Sequence, residues 1–167
     1  MVSQLISRIA GVLLVLCVEW SWAGTTASSA GPLNVELIPE SPFVGLTLEN
    51  SADGARESSV SIHVVVSGAS AKFSRRIEIY ACVDTEEAMR SATNKSSLPT
   101  VSLRIRNDRG EWAALEPLPE LQGRRGVRIA VVNASANILL SMQLQVTPHQ
   151  AAGSYQGVLI LQAQEQR

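Results

Sequence analysis

The stretch "SSVSIHVVVSG", residues 58–68, alternates apolar and polar side chains. Val60, Ile62, Val64 and Val66 fall on one side, and Ser59, Ser61 and His63 on the other. A period of two is the signature of a strand with one face against a core. The same pattern recurs outward in both directions. Upstream, "LNVELIP" gives Leu33, Val35 and Leu37, and "FVGLTLEN" gives Val44, Leu46 and Leu48. Downstream, "RRIEIYACVD" sets Ile77, Ile79, Ala81 and Val83 against Arg76, Glu78, Tyr80 and Cys82. "TVSLRIRN" sets Val101, Leu103 and Ile105 against Ser102, Arg104 and Arg106. Two further stretches follow: "VRIAVVN" with Val127, Ile129 and Val131, and "ILLSMQLQV" with Leu140, Met142, Leu144 and Val146. The last is "YQGVLILQA". Short strands at this spacing predict an all-β fold, a single antiparallel β-sandwich of the immunoglobulin-like kind.

Punctuation between the strands fits that class. "NDRG", residues 107–110, predicts a tight turn into "EWAAL" and hence a hairpin. "EPLPELQGRRG", residues 116–126, predicts a loop, because two prolines exclude a central strand. One stretch predicts a short helix. "DTEEAMRSA", residues 84–92, has Asp84 and Glu87 at capping-box spacing.

The amino terminus has a different character. Arg8 precedes "IAGVLLVLCV", residues 9–18, and "SWA", residues 21–23, supplies small residues for cleavage after Ala23. This is the layout of a secretory signal peptide. The apolar run is too short for a membrane span, which needs about 20 residues. The predicted organisation is a signal peptide over 1–23, a small polar arm "GTTASSAG" over 24–31, and a sandwich over 32–167. Removing residues 1–23 from the 167 leaves 144, enough for one core without a second domain. The expected location is periplasmic or extracellular, with no membrane attachment once the signal is gone.

Charge and cysteine content narrow the partners. The formal net charge is −1, a poor basis for binding nucleic acid. Cys17 lies in the signal, so Cys82 stands alone and no internal disulfide is expected. Cys82 reads as a small half-buried hydrophobe or, more sharply, as an intermolecular bridge.

Tyr155 begins the last strand after "TPHQAAGS". In immunoglobulin-like sandwiches such a tyrosine fixes a corner through its hydroxyl. Gly153 allows the tight approach, and Tyr155, Gly157, Leu159 and Leu161 share a face; Val158 and Ile160 make the opposite face apolar too. This "TPHQAAGSYQGVLILQA" ending, residues 147–163, resembles the final strand of bacterial pilin and spore-coat-U-type surface subunits. Those endings run proline, a short polar stretch, Ala-Gly, x, Tyr, x, Gly, then alternating apolar residues. The resemblance implies a sandwich that lacks its last strand, with a neighbouring subunit's amino-terminal arm filling the gap by strand addition. "LNVELIP" serves equally as such a donor or as the domain's own first strand.

Catalytic and metal motifs are not found. His63 and His149 have no metal-ligand spacing, and "GSYQG" has tyrosine where a nucleophile elbow needs serine. No cofactor and no catalytic residue is expected. Candidate binding residues are Trp112, the one aromatic platform beside a turn, with Arg104, Arg106 and Arg109. Together with Arg124, Arg125 and Arg128 these arginines form either a solvated face balanced by acids or an anion or partner patch. Asn94 in "NKS" and Asn133 in "NAS" fit the glycosylation pattern, which matters only in a eukaryotic source. Two roles follow: a pilus or surface-assembly subunit, or a soluble periplasmic module that binds a protein partner. An enzyme is a third.

Overall fold

The computed structural model describes residues 10–18, 35–41, 43–50, 56–68, 72–84, 87–91, 96–107, 110–147 and 155–166. The chain runs β1 (Ala10–Val18), β2 (Val35–Pro39), β3 (Phe43–Asn50), β4 (Arg56–Gly68), β5 (Lys72–Val83), β6 (Glu87–Ser91) and β7 (Ser97–Pro99). It continues β8 (Leu103–Asn107), β9 (Ala113–Ala114), β10 (Glu116–Pro117), β11 (Arg125–Ala134), β12 (Ala136–Val146) and β13 (Tyr155–Glu165). Two single 3-10 turns, at 100–102 and 119–121, are the sole helical pieces among the described residues.

The strands form two sheets packed face to face, antiparallel except where β1 runs parallel to β13, so the all-β sandwich read from the alternation is what the chain builds. One sheet runs β10-β11-β5-β13-β1-β3, with β6 against β13 and β7 against β6. The other runs β3-β4-β12-β8-β9, with β2 against β4. β3 belongs to both. Its first part pairs with β1, and Glu49 and Asn50 pair with Glu57 and Arg56 of β4.

The alternation places the core as read. Ile62, Val64 and Val66 of β4 are buried, as are Ile77, Ile79, Ala81 and Val83 of β5. They meet Leu103 and Ile105 of β8 and Leu140, Met142, Leu144 and Val146 of β12 in one cluster. Val35 and Leu37 join it from β2. β2 pairs with the carboxyl-terminal half of β4, from Val35↔Gly68 to Pro39↔Val64, so "LNVELIP" supplies an edge strand of the domain itself. Leu33 lies outside the described residues. The expected hairpin is present, with Arg104↔Ala114 and Ile105↔Ala113 pairing β8 to β9.

Three expectations need correction. Residues 87–91 form β6, not a helical turn. Ala88 and Met89 are both buried, and a bulge between Glu87 and Met89 lets consecutive side chains turn inward. A capping-box spacing with no apolar stripe behind it cannot compete with two neighbouring strands that accept the backbone. In β11 the expected face Val127, Ile129, Val131 is broken. A register shift between Arg128 and Ala130 moves Ala130 and Val132 onto the core and leaves Val131 44% exposed. Third, the loop expected over 116–126 is shorter: Glu116 and Pro117 form β10 at the sheet edge and pair with Gly126 and Arg125 of β11. Cys82 is 0% exposed, deeper than the half-buried hydrophobe expected.

Residues 118–124, between β10 and β11, fold back as a lid. Leu121 is buried against Tyr80, Cys82 and Ile160 on the outer face of β5 and β13. Gln122 and Gly123 turn the chain with positive φ, 56° and 86°. Gly126 then passes close over β5: a Cβ there would meet Cys82 Cβ at 2.8 Å and Ala81 O at 2.9 Å.

Candidate functional site

The gap between β13 and β3 is the most distinctive place in the molecule, because of what fills it. β1 lies between them, parallel to β13 and antiparallel to β3. Its register runs from Val12↔Tyr155 through Leu14↔Gly157 and Leu16↔Leu159 to Val18↔Leu161. On its other side Leu14 stands opposite Val44 and Val15 opposite Phe43. The positions facing alternate β1 residues, namely Tyr155, Leu159, Leu161 and Val44, are all core. The segment with the layout of a signal core is thus a strand of this sheet. A continuous apolar run suits a strand covered on both faces as well as it suits a signal.

Each wall has a local cause. β13 buries Tyr155 and then the continuous run Leu159, Ile160, Leu161 and Gln162, its outer face partly sealed by the lid over Ile160. Val158 stays 47% exposed, and Phe43 across the gap is 61% exposed. Each stands opposite Val15 in the ladder, so the outer rim of the gap is apolar on both sides. Gly157 is required by β6: a Cβ would collide with the carbonyl oxygen of Ala88 and come within 2.8 Å of Met89 Cγ. Tyr155 is buried at the start of β13, with its backbone paired to Ser91. Gly153 lies outside the described residues.

The binding residues read from sequence form a second, weaker place. Arg106 lies over the Trp112 ring, 4.4 Å from its centroid. That is a cation–π contact, and it ties β8 to the chain entering β9. Arg104 is exposed on the same strand, and Arg109 lies outside the described residues. Arg104 and Arg106 lie on β8 and Arg125 and Arg128 on β11 of the other sheet, and Trp112, beneath Arg106, lines a trough together with Arg128. Arg124 pairs with Asp84 at 2.6 Å, and Arg128 pairs with Glu78 at 2.8 Å. Glu78 also accepts a 2.7 Å hydrogen bond from the Tyr80 hydroxyl. Burial first, then this bond to a carboxylate, push the Tyr80 phenol up to about 12. Trp112, Tyr80, Glu116, Glu120 and Arg128 line a shallow open trough of ≈540 Å³. It presents carboxylates beside a half-buried tryptophan, a surface suited to polar partners. Sequence reasoning missed Tyr80, Glu78 and Glu120 here; the lid that assembles them read only as a loop.

Among the described residues no three His, Cys, Asp or Glu side chains gather as a metal site. His63 is exposed on β4, and His149 lies outside the described residues. No described helix is long and apolar enough to cross a membrane. No protein-family model matches the chain, and no curated protein matches it.

Proposed function

We propose that the chain is an exported, non-catalytic β-sandwich of the pilus or surface-assembly kind. Its processed form receives a strand from another chain in the gap between β13 and β3. One observation carries this reading: the strand that fills the gap comes from the segment with the layout of a signal core, Ala10–Val18. Cleavage after Ala23 falls between β1 and β2, within residues 19–34, and cuts no described strand. Once β1 is gone, β13 and β3 face each other at roughly twice the 4.7–4.9 Å strand spacing, too far apart to pair. Unpaired edges beside a buried apolar face invite strand addition. The resemblance of residues 147–163 to pilin and spore-coat-U endings supports the same role, in the periplasm or at the cell surface.

The test uses the chain starting at Gly24. It should self-associate or unfold early, and a peptide of alternating apolar residues should raise its melting temperature by mass action. A monodisperse monomer indifferent to such peptides would overturn the reading. It would promote a second one, a soluble periplasmic module that binds a protein partner. The trough beside Trp112 favours that alternative, and Trp112→Ala would then abolish partner binding.

A further inference from the structure

We infer that Ala10–Val18 is an intramolecular placeholder, seated parallel to β13, and that signal removal is the event that opens the seat. This rests on the export reading above and adds a regulatory step to it.

The geometry gives β1 the full standing of a sheet strand. It is paired on both sides, to β13 over Val12–Val18 and to β3 over Ala10–Val15. Backbone groups of three strands are thereby satisfied in a region whose inward positions are core. The stretch Gly157–Leu159 depends on it most. β6 pairs with Tyr155 and Gln156, and β5 begins its pairing at Ile160, so between them β1 is the partner recorded for β13. The direction is also fixed. Tyr155 lies at the amino-terminal end of the seat and Leu161 at the other, matched to Val12 and Val18. β2 cannot take over, because Val35–Pro39 is already committed to β4. An unprocessed chain is therefore closed at this site, and a processed one is receptive.

Three preparations test this: residues 1–167 refolded from denaturant, residues 24–167, and residues 1–167 carrying Leu14→Asp and Leu16→Asp. Those two leucines stand opposite Gly157 and Leu159. The unaltered long chain should melt roughly 10 °C or more above the short one and ignore added peptide. The doubly substituted chain should match the short one and respond to peptide. If the long chain precipitates, a peptide of residues 8–19 added to residues 24–167 gives the same answer. It should bind, and a nitroxide at its position 12 should broaden the amide signals of Tyr155 and Gln156, sparing Leu161 and Gln162. Three results would overturn the placeholder. In the first, both lengths melt alike while the short chain still takes up other apolar peptides; the placeholder then falls and the strand-accepting gap stands. In the second, both melt alike and neither responds to peptide, and both ideas fall. In the third, the label broadens the Leu161 end, which contradicts the parallel seat.

Discussion

Gly157 shows how far one missing methyl group reaches. It is the third residue of β13, inside a strand where propensity argues against glycine, yet a Cβ would strike the Ala88 carbonyl of β6. A backbone oxygen cannot swing away as a flexible side chain can. Gly157→Ala should therefore cost about 1–3 kcal/mol, the usual penalty for overpacking. Urea titration would show it as a lower midpoint, whereas exposed Gln156→Ala should leave the midpoint nearly unchanged. Tyr80 makes a second prediction. Its phenol is raised from the ordinary 10.0 to about 12, so the folded state holds the proton more tightly than the unfolded one. The stabilisation is complete below pH 10 and is lost as pH rises from 10 through about 12. Urea midpoints between pH 9 and 12 should show the advantage of the native protein over Tyr80→Phe shrinking across that window. A constant difference would mean that the hydroxyl's burial and its bond to Glu78 do not persist in solution.

Strands were legible wherever one face is buried and the other wet. Val60 to Val66, and Leu140 to Val146, announce themselves because the pleat converts burial directly into alternation. Legibility failed where the ladder is irregular or where one pattern has two meanings. The bulge in β11 exchanges Val131 for Val132 at the core, and the sequence carries no mark of it. β6 is short and bulged, so its two adjacent buried residues break the period. The residues of the gap were half visible. The sequence from Tyr155 to Leu161 predicts a strand covered on both faces, and the lid covers Ile160 while Val158 stays exposed; the β1 segment reads from sequence as an export signal alone. A short apolar run has no period with which to distinguish a signal core from a doubly covered strand. At the second place the Arg106 stack on Trp112 joins two candidates that the sequence offered separately, and the pairs Arg124–Asp84 and Arg128–Glu78 balance two of the arginines with acids.

The sandwich as a unit has one strand, β1, that lies upstream of the proposed cleavage point. β2, β4, β12 and β8 hold their sheet with residues downstream of Ala23, and β5, β11 and β13 do the same in the other. β1 alone comes from upstream, and it joins the two halves of the second sheet between β13 and β3. Export would remove a central strand and leave the rest of the hydrogen bonding in place. Amide hydrogen exchange on residues 24–167 reads that state directly, with and without a peptide of residues 8–19. The account predicts that amides of Gly157–Leu159 exchange fast in the domain alone and slow at least roughly tenfold when peptide is added. Amides of Ile160–Glu165 bonded to β5 should be protected in both. Slow exchange at Gly157–Leu159 in the domain alone, unchanged by peptide, would contradict it, since the sheet would then have closed without any added strand.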